Sequence, residues 1–220
     1  RVNYHFGVGG LIWGGYYICG MRRIIYLAVC MVGMSASSVT STKAQVLRDS
    51  VMVRGLVFSA IYSEVLQQPK RVWYEVQCPN GSYPRAGMDF YGCDSIRASD
   101  GKDYEANVWD KGHCAPAADF NCDRARLWAT FSYLNCVLQH ERLNRGAWRL
   151  LEVRERELAK TSKVEVEIRM VYSKGSLKLP SGATVPDGFW KEIKYCGNSE
   201  VYYFRNEDPK TTDFRKFLVQ

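Results

Sequence analysis

The sequence predicts an α+β fold, and three observations carry that reading. Val164–Tyr172 (VEVEIRMVY) and Arg71–Gln77 (RVWYEVQ) alternate apolar and polar residues with the period of a half-buried strand. The stretch NRGAWRLLEVRERELAK, from Leu143 or Asn144 to about Lys160, is rich in strong helix formers and free of Pro. No internal repeat or low-complexity linker separates these segments, and 220 residues with 46% apolar composition suffice for one domain with a real core.

In chain order, Val51–Glu64 mixes apolar and small residues and leads into the strand at Arg71–Gln77, which Pro79-Asn80-Gly81 closes as a turn. Residues 82–108 are loop-rich, with Gly, Pro, Ser and Asp among aromatics. The stretch WDKGHCAPAADF (Trp109–Phe120) then reads as a strand end, a tight bend at the Gly and a restart, because Gly and Pro lie too close together for a helix. In the following helix Leu143, Ala147, Leu150, Leu151 and Leu158 fall on one broad apolar face. After the strand at 164–172, Gly182–Gly188 is a loop, and Phe189–Tyr195 and Val201–Phe204 are two further short strands.

The first 44 residues differ in kind. Met21-Arg22-Arg23 precedes an apolar run, Ile24–Met34, and small polar residues lead to Thr42-Lys43-Ala44, a small-x-small site before Gln45. This is the pattern of a secretory signal peptide over 21–44, with residues 1–20 as translated sequence upstream of Met21 and 45–220 as the domain. Two other readings stand beside it: an apolar anchor built from Leu11–Met34, and a lipid attachment at Cys30. Four of the 30 basic residues and none of the 23 acidic ones lie before Gln45, so the remainder carries only +3 of the formal +7. Attraction to an anionic partner must therefore come from a local patch. Six cysteines remain after the leader, an even count that with export suggests disulfides; Cys78 and Cys93, flanking a turn-rich loop, are the first expected pair. With no C-x-x-C pair and only His113 and His140 in the mature region, a structural zinc site is not expected.

Several polar residues converge in this layout. His113 is pinned in a bend, and the helix offers Asn144, Glu152 and Arg156 at spacings of eight and four, on one face. Each has a plain alternative: a packed histidine, a helix N-cap, an exposed ion pair of a few tenths of a kcal/mol.

The order of these residues decides between the readings. DKGHCAPAADF, then TFSYLNCVLQ (Thr130–Gln139), then LNRGAWRLLEVRER (Leu143–Arg156) resembles the DNA/RNA non-specific endonuclease family with its D-R-G-H motif, and the resemblance runs from about Tyr62 to Asn206. It implies a mixed, mainly antiparallel sheet with flanking helices, carrying a ββα-metal (His-Me finger) site. By that resemblance His113 is the general base, an imidazole titrating near neutrality. Asn144 is the one direct ligand of a divalent metal, Mg²⁺ or in its place Mn²⁺, and Glu152 orders the metal's waters. Arg156 is a cation near the leaving group, Asn135 shapes the site and Gln139 is structural. Lys111 replaces the motif's usual Arg, so charge remains but a bidentate fork is lost. Arg85, in YPRAGMDF, matches a phosphate-contacting arginine. The implied activity is a secreted, metal-dependent hydrolase of DNA and RNA, contacting both through the phosphate backbone, with no membrane span once the signal is removed. Family members continue past the position of Gln220, so a C-terminal truncation is expected. The alternative is a secreted domain that keeps the fold and binds nucleic acid or protein without catalysis.

Overall fold

The computed structural model describes residues 46–220; the leader, its cleavage site and Cys30 lie outside the described residues. Six strands form one antiparallel sheet: β1 (Val51–Arg54), β2 (Ser59–Ser63), β3 (Gln68–Glu75), β6 (Val164–Val171), β7 (Gly188–Tyr195) and β8 (Asn198–Arg205), in the order β1-β2-β3-β6-β7-β8. A separate two-stranded hairpin pairs β4 (Trp109–His113) with β5 (Cys136–His140). The helical segments are α1 (Arg124–Ala129), the single turn α2 (Glu141–Leu143), a wide π turn over Asn144–Trp148, and α3 (Arg149–Ala159).

One face of the large sheet makes the core. Val51, Val53, Ala60, Tyr62, Val72, Tyr74, Val166, Ile168, Phe189, Ile193 and Phe204 are buried and alternate with outward residues along their strands. Leu143, Ala147, Trp148 and Leu151 cover that face from the helical side.

The structure moves several element bounds. Val51–Glu64 holds two short strands joined by a turn in which the Gly55 amide donates to the Phe58 carbonyl. The strand expected at Arg71–Gln77 begins at Gln68, where Gln68 and Pro69 pair with β2 beyond a bulge at Ile61/Tyr62, a place where Pro is tolerated. The expected single helix is broken by the π turn, in which Gly146 leaves helical geometry at φ −104°, ψ −114°.

Gly112 does not turn the chain. It lies inside β4 opposite Val137, and the bend follows only after His113. Glycine is required there by close approach: a Cβ would lie 2.6 Å from Gln139 Oε1 and 2.7 Å from Gln139 Cβ. The expected Cys78–Cys93 disulfide is also corrected. The Gln77 and Cys78 amides both donate to the Asp119 carbonyl, which brings the following turn alongside, and Cys78 is bonded to Cys122 with Cα atoms 5.5 Å apart. Cys93 is a free thiol beside Ser95.

Candidate active site

The hairpin β4–β5 and the helix after it form a ββα unit. Its outer edge is tied to the large sheet by side chains: the Leu138 amide donates to Gln68 Oε1 at 2.9 Å, and the His140 amide donates to Asn206 Oδ1 at 2.8 Å. Asn206 Nδ2 in turn donates to the Leu138 and Pro186 carbonyls, both at 2.9 Å. The end of β5, from which the helix starts, is thereby fixed.

Three groups of residues surround this unit. The first is an aromatic floor that brings together Arg85, Lys111 and His113. The His113 ring lies 4.7 Å from Phe90 and 5.0 Å from Phe131, edge-on to the latter. Lys111 Nζ sits 5.6 Å from the Phe90 ring and 5.8 Å from the Tyr133 ring, and pairs with Asp89 at 3.2 Å. The exposed Arg85 places its guanidinium 5.3 Å from the Phe131 ring. Burial, and then the Arg85 charge, hold the His113 imidazole down to about 3 from its usual value near 6.5. It is therefore unprotonated at neutral pH but a weaker base than the near-neutral imidazole expected from the sequence, and its Nε2 has no hydrogen-bond partner.

The second group centres on Asn144. Its Nδ2 donates to Asp110 Oδ2 at 2.9 Å, and Asp110 is also gripped by Arg145 through contacts of 2.9 and 2.6 Å. With the nitrogen committed to a carboxylate, the amide oxygen is the atom left to meet a cation. Among the described residues no group of three or more His, Cys, Asp or Glu is arranged to hold a metal. The donor chemistry on hand is one oriented amide oxygen, which suits a hard cation that keeps most of its waters. Asp110, given no role by the sequence, reaches Asn144 because it pairs with Gln139 at the strand end next to the helix.

The third group lies between α3 and the sheet, with Asp119, Glu155 and Lys191 fully buried and Glu152 and Arg156 half-buried. Arg156 Nη1 donates to Asp119 Oδ1 at 2.8 Å, so its charge is matched by a fully buried carboxylate from the loop after His113. Glu155 lies 2.6 Å from Lys191 Nζ, both fully buried, and Tyr74 donates its hydroxyl to Glu155 at 2.7 Å. Glu152 stands beside this cluster; burial, together with Glu155, pushes its carboxyl up to about 7 against the opposing pull of Lys191 and Arg156.

Asn135 and Gln139 are fully buried. Asn135 accepts from the Ala115 amide at 2.8 Å and donates to the carbonyls of Ala115 and Thr130, each at 2.9 Å. It shapes the loop that leaves His113, with both N–H donors spent on backbone carbonyls. Gln139 packs against Gly112 as described above. Cys114 is a buried free thiol whose amide donates to the Asn135 carbonyl.

A short hairpin and its helix hung on a larger antiparallel sheet, with a histidine on the first strand and an oriented asparagine where the helix begins, define the ββα class of nuclease folds. The chain belongs to the DNA/RNA non-specific endonuclease family, whose model matches residues 56–220. It is 34% identical to a nuclease of Serratia marcescens over 123 residues, covering 50% of this chain and 45% of that protein. It is 33% identical to mitochondrial endonuclease G of Bos taurus over 84 residues, covering 37% of this chain and 28% of that protein. The matched region thus spans less than half the length of either relative. A crystal structure of an EndoG/EndoGI complex contains a chain with the same fold, at TM-score 0.65 and 23% identity over 77% of this chain and 80% of that one.

Proposed function

We propose that the protein is a secreted, metal-dependent endonuclease that hydrolyses phosphodiester bonds in both DNA and RNA. The observation that carries this reading is the Asp110-clamped amide of Asn144 on a unit whose first strand ends in His113, its Nε2 unpartnered. A packing asparagine has no need of a carboxylate and an arginine to fix its rotation.

Asn144 would hold the metal through its amide oxygen and Glu152 would order the metal's waters; a bound Mg²⁺, or Mn²⁺ in its place, supplies charge stabilisation at the scissile phosphate and the leaving oxygen. The chain's own groups do the rest. A water oxygen adds to phosphorus while His113 accepts its proton, and the P–O3′ bond breaks with its electron pair moving to O3′, which leaves as a hydroxyl after taking a proton from solvent. The aromatic floor of Phe90 and Phe131 holds the imidazole in place. Lys111, partly exposed, and Arg85 present positive charge to the substrate backbone, while Arg156 stays tied to Asp119 beneath them. Contacts with phosphate and not with base edges give no sequence preference and make no distinction between DNA and RNA. Export rests on the Met21–Ala44 pattern of the sequence, and no helix among the described residues is long and apolar enough to cross a membrane.

Purified chain incubated with plasmid DNA or RNA and Mg²⁺ tests the proposal. Cleavage should stop with EDTA and fall by about a hundredfold or more in His113→Ala, as for loss of a general base. Wild-type protein that binds plasmid but leaves it intact would place the chain with non-catalytic binding domains instead.

A further inference from the structure

Lys191 occupies an inward position of β7, between Phe189 and Ile193, with Ile168 and Tyr202 as its cross-strand neighbours. Its side chain is fully buried. A lysine on the core face of a sheet carries a large desolvation cost, offset only where its charge is well matched. Here the match comes from the helical layer. Nζ lies 2.6 Å from Glu155 Oε1, off the hydrogen-bond angle, and 4.3 Å from the centroid of the Trp148 ring. Tyr74 holds the other Glu155 oxygen. Apolar residues would join sheet and helix as well as or better than this pair. Packing alone therefore does not account for it.

The feature that sets Lys191 apart is what it touches. Trp148 follows Asn144 by four residues and precedes Glu152 by four. It closes the π turn, with its ring edge-packed on Phe189 at 5.4 Å and Phe204 at 5.5 Å. Its buried indole N–H has no hydrogen-bond partner, so the ring is held by the Lys191 charge and the two phenyl edges. The ammonium thus sits under the residue that spaces Asn144 from Glu152.

We propose that Lys191 is a positioning residue, which from the sheet fixes the Trp148 indole and through it the placement of Asn144 and Glu152 toward a divalent cation. The proposal rests on the reading of Asn144 and Glu152 given above.

Lys191→Met alone would leave Glu155 buried without its counter-charge, so the decisive variant is Lys191→Met combined with Glu155→Gln, which removes both charges and keeps an acceptor for Tyr74. Binding of Mn²⁺ to the purified full chain, followed by calorimetry or by the Mn²⁺ spin signal, is the readout, alongside kcat and KM on a short duplex at saturating Mg²⁺. The double variant should keep the wild-type circular dichroism, bind Mn²⁺ about 10-fold more weakly and lose kcat with little change in KM, the scale seen for groups that orient metal ligands. Trp148→Phe, which leaves Lys191 a smaller and weaker cation–π partner, should weaken Mn²⁺ binding in the same direction and serves where the double variant fails to fold. Asn144→Ala separates the two levels. If it binds Mn²⁺ like wild type, the metal reading fails and this proposal with it. If Asn144→Ala loses Mn²⁺ while both the double variant and Trp148→Phe bind as wild type, only the role of Lys191 is overturned.

Discussion

Asp110 Oδ2 lies 2.9 Å from Asn144 Nδ2, joining the first strand of the hairpin to the first residue of the π turn. Asp110 is itself held by Arg145, and Arg145 also reaches Glu141 at 3.3 Å. An amide that can rotate offers a cation nitrogen as readily as oxygen. The carboxylate removes that choice.

Asp110→Ala should therefore leave a folded protein with a kcat about 10 to 100 times lower and a raised Mg²⁺ requirement, the cost typical of losing a group that orients a ligand. Arg145→Ala, which removes only the exposed clamp on Asp110, should stay within about threefold of wild type. A Mg²⁺ titration of oligonucleotide cleavage by the two variants checks both. Equal Mg²⁺ dependence in Asp110→Ala and wild type would remove Asp110 from the account.

Gly112→Ala places a methyl against Gln139 Oε1, Gln139 Cβ and the Val137 carbonyl, the last at 3.1 Å. Neither backbone nor the fully buried Gln139 can give way freely, so the substitution should cost about 2–3 kcal/mol, as overpacking does. A urea midpoint unchanged by Gly112→Ala would show that Gln139 repacks without cost.

Stability should fall as acid is added, in two stages. His113 has a folded value near 3, well below its unfolded value near 6.5, so the unfolded chain binds the extra proton and stability is lost progressively below about pH 6.5. Glu64, held down to about 2 by hydrogen bonds from Arg48 that outweigh its burial, contributes stability above about pH 4.5 that is lost as pH falls toward 2. Each effect is on the order of 1–3 kcal/mol. Urea unfolding between pH 7 and pH 4 should show a shallower decline in His113→Gln than in wild type.

The Cys78–Cys122 bond closes a separation of 44 residues and pins the turn after Asp119 to the end of β3. Cys122 is exposed, so reductant reaches it. Dithiothreitol, or Cys122→Ser, should lower stability by about 2–4 kcal/mol, a drop in Tm of about 5–10 °C. Cys93→Ser should change neither Tm nor its response to reductant.

Much of the catalytic unit was legible because its signals are local. A run from Trp109 to Phe120, a second ending at Gln139 and a helix opening near Asn144 lie in order along a short stretch of chain, and each meets its structural partner nearby. What escaped the sequence is non-local. Gly112 reads as a turn residue because the Gln139 side chain that demands a glycine lies on the other strand. Lys191, in FWKEIKY, breaks the apolar alternation and passes for a solvent residue, since Glu155 and Trp148 reach it from a distant helix. The strands in Val51–Glu64 are too short to show a period, and they exist because β3 offers them an edge.

The hairpin enters no ladder of the six-stranded sheet; Gln68 and Asn206 hold its edge at a few points. Hairpin and helix share no ladder with that sheet, so what couples them to it is side chains: Gln68 and Asn206 at the hairpin, and Lys191, Tyr74 and Phe189 at the helix. Trp109–Ala159 is thus a unit joined to its mount by side chains, a few backbone hydrogen bonds and one disulfide, and changes in the mount reach it only where those ties are touched.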